Sequence, residues 1–318
     1  MTATDRPQRS KYAPLIDACA TLAPLPMAVV HPCDGLSLAG AMSAARRHLI
    51  LPVLVGPQAR ILAAAATIGQ DLAGIEIVDT PHSHASADRA VALVREGRVD
   101  ALMKGSLHTD ELMGAVVARD TGLRTERRIS HCFVMDVPQR PEMLILTDAA
   151  VNIAPTLEDK VDIVQNAIDL ALAIGVAEPR VAILSAMETV NPKVPSTIEA
   201  AALCKMADRG QILGGLIDGP LALDNAIDPA AAAVKKIVSP VAGRANILVV
   251  PDLEAGNMLA KSLSFLAGAE AAGIVLGARV PIVLTSRADS EISRLASCGI
   301  AVLTAQARRR KAARAATG

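Results

Sequence analysis

The chain has 318 residues, and its 32 Lys and Arg balance its 32 Asp and Glu. Apolar residues make up 52% of the chain but aromatic residues only 1%, which is typical of a globular protein with an aliphatic interior. With no Trp and a single Tyr, a site that stacks bases or sugars on aromatic rings is disfavoured. At roughly 150 residues per domain, the length predicts two domains.

The five cysteines are scattered and form no Cys-x-x-Cys pair, so we expect reduced thiols rather than a disulfide framework. The first ten residues lack the apolar core of a signal peptide, and no run of 18 apolar residues follows. We therefore expect a soluble cytoplasmic protein.

Five of the bases form a basic C-terminal segment, consisting of Arg308, Arg309, Arg310, Lys311 and Arg314. The remainder of the chain then carries 27 bases against 32 acids, a net charge of −5, which argues against nucleic-acid binding. We interpret the segment as a solvated helix end or a disordered terminus, with contact to a phosphate or a partner as the lesser alternative.

Short aliphatic runs alternate with longer segments of helical periodicity, a pattern typical of α/β folds with buried parallel strands. Ten strands are predicted, at 27–31, 52–55, 75–78, 101–103, 143–146, 181–184, 215–217, 247–250, 273–276 and 281–284. An amphipathic helix is predicted over 158–174, with Thr156 as its N-cap. Because no Asn-Gly turn joins two strands, we expect helical crossovers between them.

A polar loop over 148–155 separates a strand from a new helix and marks a domain boundary. We assign 1–150 together with 281–318 to a first α/β domain and 151–280 to a second. No Gly- and Ser-rich linker separates the two, so we expect them to pack together with a cleft between them.

In open α/β sheets, ligand-binding residues follow the carboxyl ends of the strands. Lys104-Gly105 follows one strand, and this cation with the backbone N–H groups beyond it can hold a phosphate; a C-cap glycine and an N-cap Thr109 are the alternative without a ligand. The segments that follow two other strands, at 146–152 and 184–192, are weaker signals of a binding site, because Asn and Ser are ordinary loop residues.

The segments that follow two later strands contain more residues that could bind a ligand or catalyse a reaction. Asn257 and Lys261 are four residues apart and therefore share a helix face, although the acids before them can simply cap that helix. Ser286, Arg287 and Asp289 offer an oxyanion donor, a phosphate-binding fork and a proton acceptor, which are the groups that acyl transfer to or from phosphate requires. An N-cap with a surface salt bridge remains the alternative at this exit.

Several common motifs are missing from the sequence. It contains no His-Glu-x-x-His, no Cys/His quartet and no Gly-x-Ser-x-Gly, so zinc hydrolysis and α/β-hydrolase chemistry have no support. The P-loop and the standard dinucleotide fingerprint are also missing.

Ordered blocks of sequence extend from about residue 25 to about residue 300. They are Lys104-Gly105, Arg128-Ile-Ser-His131, Leu146-Thr-Asp-Ala-Ala150 with Asn152, Ser185-Ala-Met-Glu-Thr-Val-Asn191, Asp218-Gly-Pro-Leu-Ala-Leu-Asp-Asn-Ala226, Ser239-Pro-Val-Ala-Gly243, Pro251-Asp-Leu-Glu-Ala-Gly-Asn257 with Lys261, and Thr285-Ser-Arg-Ala-Asp-Ser290. In this order they resemble the phosphate acetyltransferase and phosphate butyryltransferase family.

The resemblance implies reversible transfer of a short acyl group between coenzyme A and inorganic phosphate. It implies two α/β domains similar to those of isocitrate and isopropylmalate dehydrogenases, with the site in the cleft and a homodimer formed through the second domain. Coenzyme A or acyl-CoA would be a substrate, with no bound cofactor or metal and with neither nucleic acid nor membrane as a partner.

Ser286 and Arg287 match the family's active-site pair, and Asp289 matches the acid of the butyryltransferase branch. The acetyltransferase branch places its acid further on, near Glu291, so the choice of base stays open. Met113 stands where that branch carries an arginine. These departures place the chain nearer the butyryltransferase type and leave the acyl length open.

The resemblance also implies a set of substrate-binding residues, namely Lys104, Thr109, His131, Asn152, Glu188, Asn191, Asn257 and Lys261. Two alternative functions stay open. A metal-dependent NAD dehydrogenase of the same fold would need converging acids such as Asp218, Asp224 and Asp228. A non-catalytic coenzyme A sensor would retain the pocket but not turnover.

Overall fold

The computed structural model describes residues 10–285 and 289–317. Within them, eleven strands form one sheet: β1 Leu25–Val30, β2 Ile50–Gly56, β3 Glu76–Asp79, β4 Ala101–Lys104, β5 Ser130–Asp136, β6 Leu144–Thr147, β7 Arg180–Leu184, β8 Leu216–Leu221, β9 Ile247–Val249, β10 Glu270–Leu276 and β11 Ile282–Val283. The helices are α1 Tyr12–Ala18, α2 Gly35–Arg46, α3 Gln58–Thr67, α4 Ser83–Arg95, α5 Thr109–Val117, α6 Leu157–Ala173, α7 Pro195–Asp208, α8 Leu223–Ile227, α9 Pro229–Val234, α10 Leu253–Ala267 and α11 Glu291–Thr317. The result is the expected mixed α/β fold.

The strand order is β3-β2-β1-β4-β11-β10-β5-β6-β9-β7-β8. The five strands from β3 to β11 run parallel to one another, and so do the four from β6 to β8. Between them, β10 is antiparallel to both of its neighbours, and β5 is antiparallel to β6. The sheet therefore has two parallel halves that run in opposite directions.

The ten predicted strands are present with small shifts at their ends, but β5 was missed. Its sequence, Ser130-His-Cys-Phe-Val-Met-Asp136, contains polar residues and lacks the aliphatic run that identified the others. The expectation of helical crossovers throughout was also wrong here. Loop 137–143 joins β5 directly to the antiparallel β6, and it contains Pro138 and Pro141 in place of an Asn-Gly turn.

The two faces of the sheet are covered differently. On the first face, one continuous apolar layer packs α1, α2, α3, α6, α7 and α11 against both halves. On the second face there are two separate clusters, one under α4 and α5 and the other under α8, α9 and α10. We call the part of the second face between these clusters, at strands β4, β11, β10 and β5, the central junction.

Local sequence explains two of the helices. Thr156 caps α6 by accepting the N–H of Asp159, as predicted, and Asp159 accepts the N–H of Thr156 in return. The basic C-terminal segment forms the last turns of α11, so the helical alternative for it was correct. Among the described residues, no helix is both long enough and apolar enough to cross a membrane.

Candidate active site

Four strands place residues in one row across the central junction. β11 runs in register beside β4, so Leu284 follows next to Lys104. The N–H of Leu284 donates to the carbonyl oxygen of Gly273 on β10, and Gly273 is paired with Phe133 on β5. With neighbouring strands about 4.8 Å apart, the row from Lys104 to Phe133 spans roughly 14 Å.

A glycine is required in the middle of this row. A Cβ atom at Gly273 would lie 2.5 Å from the carbonyl oxygen of Leu284 and 3.0 Å from Nε2 of His131. The imidazole of His131 therefore stands directly against β10. β10 is the neighbour of β11, whose chain continues into the predicted catalytic segment.

His131 is completely buried, and its ring makes an edge contact with Phe133 at 4.4 Å between ring centroids. Neither ring nitrogen has a hydrogen-bond partner in the described part of the chain. Burial lowers the pKa of His131 from 6.5 to about 4, against the opposing effect of the Asp148 carboxylate. At neutral pH the site thus contains an uncharged imidazole with one donor and one acceptor available.

This low pKa predicts a pH dependence of stability. The pKa of His131 in the folded state lies below its ordinary value, so the unfolded chain binds the proton more tightly. The stabilisation is complete above pH 6.5 and is lost as the pH falls towards 4. We expect the free energy of unfolding of wild type relative to His131→Gln to fall by roughly 2 kcal/mol between pH 7.5 and pH 5.

Urea unfolding at both pH values measures this difference. His84→Gln is the control, because the His84 side chain is 70% exposed. A wild-type and a His131→Gln protein with parallel pH profiles would contradict the buried, neutral state of His131.

Asp148 organises the loop that follows β6. Its carboxylate accepts the backbone N–H groups of His131, Ala150, Val151 and Asn152 at 3.0–3.2 Å, and the side-chain amide of Asn152 at 2.5 Å. A carboxylate is the one side chain that can accept so many donors at once. This contact explains the Thr-Asp-Ala-Ala-x-Asn pattern of the sequence.

The amide of Asn152 is occupied by protein groups. Its Nδ2 also donates to the carbonyl oxygen of Ile129, and its Oδ1 accepts the Nε–H of Arg128 at 2.7 Å. Nη1 of Arg128 lies 3.4 Å from a carboxylate oxygen of Asp159. No role was assigned to Arg128 from the sequence, although its place in the Arg128-Ile-Ser-His131 block was a signal.

The Lys104-Gly105 pair is shaped by packing against β1. The N–H of Gly105 donates to the carbonyl oxygen of Val30, and a Cβ atom at Gly105 would lie only 2.4 Å from that oxygen. Lys104 is half-buried on the second face. Thr109 opens α5, but the N-cap is His108, so the alternative that made Thr109 the cap was wrong.

Helix α10 docks on the Asp148 loop. Asp252 caps the helix by accepting the N–H of Ala255, and a Cβ atom at Gly256 would lie 2.7 Å from the carbonyl oxygen of Asp148. One residue on, Nδ2 of Asn257 donates to a loop carbonyl at 3.4 Å. Asn257 is thus brought towards the central junction, whereas Lys261, one turn later, is exposed.

Two predicted residues lie further away. Glu188 and Asn191 are in the loop after β7, which is two strands beyond β6 in the sheet. Glu188 forms an ion pair with Lys235 at 2.7 Å, and Oδ1 of Asn191 accepts the N–H of Lys193. The structure does not bring them together with Lys104 and His131.

Of the predicted catalytic residues, Ser286 and Arg287 lie outside the described residues. Asp289 is described and half-buried. Its competitor Glu291 begins α11 and accepts a hydrogen bond of 2.5 Å from the hydroxyl of Ser43 on α2. Because α2 belongs to the layer on the first face, this contact directs Glu291 away from the central junction.

Comparisons with known proteins identify the family of the chain. Residues 86–302 match the family model described as phosphate acetyl/butaryl transferase. A phosphate acetyltransferase of Rhizobium meliloti is 67% identical over 302 residues, which cover 95% of this chain and 96% of that protein. A phosphate butyryltransferase of Clostridium acetobutylicum is 43% identical over 253 residues, covering 80% and 84%. A solved branched-chain phosphotransacylase from Enterococcus faecalis V583 has a TM-score of 0.76 at 30% identity, covering 88% and 99%.

Proposed function

Because this chain belongs to the family of phosphate acetyl and butyryl transferases, we propose that its central junction transfers a short acyl group reversibly between coenzyme A and inorganic phosphate. The observation that most directly supports this class of reaction is the 67% identity to a phosphate acetyltransferase over nearly the whole chain. The protein is thus an acyltransferase, and its substrates are acyl-CoA and phosphate.

The proposed chemistry centres on residues 286–289. Asp289 takes the proton from the coenzyme A thiol, and the sulfur attacks the carbonyl carbon of the acyl phosphate. A bond forms between the sulfur and the carbonyl carbon. The bond between that carbon and the oxygen that bridges to phosphorus breaks, and phosphate leaves. Arg287 neutralises the phosphate, and Ser286 with backbone N–H groups stabilises the oxyanion, at on the order of 3 kcal/mol per donor.

The row across the sheet supports this assignment. Lys104 ends the strand next to β11, whose chain leads directly into the catalytic segment, so its ammonium supplies a second cation for the phosphate. The uncharged ring of His131 lies behind this row, against Gly273 and Phe133, and because it is completely buried it would position the row rather than touch the substrate. Asn152 acts as a positioning residue that holds the Asp148 loop and orients Arg128.

The other predicted contacts extend this surface. Thr109 on α5 lies on one side of the central junction, and Asn257 and Lys261 on α10 lie on the other. In this proposal Glu188 and Asn191 contact the distant part of the substrate, since coenzyme A extends well beyond its reacting thiol.

The finer architecture also belongs to the proposal. We assign 1–150 with 281–318 and 151–280 to two domains of the isocitrate and isopropylmalate dehydrogenase type. The two parallel halves of the sheet support two units, although β6 pairs with the second half and the boundary at 150 assigns it to the first domain. The five cysteines are free thiols, in keeping with a cytoplasmic location.

Dimerisation through the second domain is supported by apolar side chains on α10. Met258, Phe265 and Leu266 are 63%, 78% and 87% exposed. Large apolar side chains grouped on one exposed helix are typical of protein–protein contacts. We propose that a second copy of the chain covers them.

The dehydrogenase alternative is not favoured. It required Asp218, Asp224 and Asp228 to converge, but Asp218 accepts the N–H of Gly219 and Asp228 caps α9. The family match favours acyl transfer over it. Turnover in the assay described next would exclude the sensor alternative.

A single assay tests the proposed reaction. Release of coenzyme A from acetyl-, propionyl- and butyryl-CoA is followed with and without phosphate. We expect release that depends on phosphate and needs no added metal, and the ratios of kcat/KM rank the acyl chains. Equal release without phosphate would identify a thioesterase instead, and no release would favour a sensor.

A further inference from the structure

A second concave site lies on the first face of the sheet, opposite the central junction. It is a groove of about 1280 Å³ between α1, α6 and α11, at the end of the sheet where β10 finishes. Leu22, Leu172 and Leu303 contribute apolar surface to its lining. Ligand pockets usually have about 300–1,000 Å³, so this groove has room for a ligand of nucleotide size.

The lining of this groove is strongly cationic, and we call it the basic groove. It contains seven basic residues, Arg124, Arg127, Arg279, Arg308, Arg310, Lys311 and Arg314, and two acidic ones, Glu126 and Asp169. Asp169 is already paired with Arg127 at 2.7 Å. A chain with no net charge therefore concentrates positive charge in one groove, where the field attracts anions.

The end of α11 is held at the groove by specific contacts. Nη1 of Arg308 donates to the carbonyl oxygens of Ala278 and Arg279, and Arg309 forms an ion pair with Asp100 at 2.5 Å. The next residues, Arg310 and Lys311, are exposed and line the groove. The basic C-terminal segment is thus docked as one wall.

The opposite wall comes from two other segments. Arg124 lies in the segment that leads into β5, and Arg279 follows β10. The N–H of Arg279 donates to the carbonyl oxygen of Leu123, which ties these two segments together. Cations from distant parts of the chain therefore face one space.

The lining also contains an unsatisfied polar group. Thr304 is 5% exposed, and its hydroxyl has no hydrogen-bond partner within residues 10–285 and 289–317. A buried hydroxyl without a partner costs stability, and a polar ligand atom reached by a side-chain rotation would satisfy it. This observation is independent of the charge.

We propose that the basic groove binds a polyanionic small molecule, a phosphorylated compound of nucleotide size, at a site separate from acyl transfer. The arginines hold the phosphates, since guanidinium groups match phosphate oxygens in pairs. The leucine side chains accept the less polar body of the ligand. β10 separates the two sites, because Gly273 belongs to the central junction and Leu276 to the groove.

Isothermal titration with ATP in the absence of Mg²⁺ tests the proposal on the full chain. Two double variants reverse the charge of one wall each, Arg310→Glu with Lys311→Glu and Arg124→Glu with Arg279→Glu. The control, Lys205→Glu with Arg209→Glu, makes the same change in net charge in the last turn of α7 and at its C-cap. We expect ATP binding to weaken at least tenfold in both wall variants and to stay within twofold of wild type in the control.

Other results would overturn the proposal. Failure of millimolar ATP to saturate wild type would remove the site, and so would two wall variants that bind ATP as tightly as wild type does. Weakening by the α11 variant alone would place ATP on the helix surface rather than between the walls. Rates of coenzyme A release are measured in parallel, and in all variants they should match wild type. A result that contradicts ATP binding in the groove is thereby distinguished from one that contradicts the transferase assignment.

Discussion

Replacing Arg287 with alanine is expected to raise the phosphate KM and lower kcat, each by roughly ten- to a hundredfold. A cation that contacts the transferred phosphate acts in both the ground state and the transition state, so both constants change. The combined magnitude follows from the two hydrogen bonds of the guanidinium fork, each worth roughly 1.5–3 kcal/mol because charged groups take part. Initial rates of coenzyme A release against phosphate concentration, at saturating acyl-CoA, measure both constants.

Two further variants sharpen this test. Arg287→Lys keeps the charge but loses the planar fork, so we expect it to recover only a small part of the lost activity. Arg209→Ala, on an exposed position after α7, should leave the kinetics unchanged. Unaltered phosphate kinetics in Arg287→Ala would show that this side chain does not contact phosphate.

The strands were predictable where burial on both faces requires continuous aliphatic residues, as at β1 and β9. The sequence pattern could not reveal β5, because Ser130 and His131 interrupt it. Ser130 accepts a hydrogen bond from Asn166 on α6, and His131 stands against β10 at the central junction. Strand direction was not predictable either. Whether β10 runs parallel or antiparallel depends on which strands it pairs with, and no local signal carries that information.

The strand exits were found because short loops at parallel strand ends need Gly, Asp and Asn. The sequence did not reveal which of those residues face a ligand. Asn152 looks like a binding amide in the sequence, yet its Oδ1 and Nδ2 are bonded to Arg128, Ile129 and Asp148. Gly273 carried no signal, because the close approach of His131 that requires it comes from another strand.

The basic groove was unpredictable for the same reason. The sequence predicted a solvated helix end or a disordered terminus for the basic C-terminal segment, and the helix is present. Its second wall comes from Arg124 and Arg279, which are distant in the chain. Basic residues that are brought together only by the tertiary structure form no recognisable pattern in a short stretch of sequence.

The choice of general base can be decided by a pair of variants. Asp289→Asn is expected to lower kcat by roughly 10² or more, with a nearly unchanged phosphate KM, because a general base contributes to the transition state and does not hold phosphate. The pH dependence of kcat should lose its acidic limb in this variant. Wild type should retain it.

Glu291→Gln is the matched comparison and is expected to keep kcat within about threefold of wild type. Glu291 accepts the hydroxyl of Ser43 on the first face, and glutamine retains an oxygen that can accept the same hydrogen bond, so the start of α11 is preserved. Ser43→Ala removes that contact and should also leave kcat unchanged. If Glu291→Gln is the slow variant and Asp289→Asn is not, the base is Glu291, and the catalytic assignment moves by two residues along the chain.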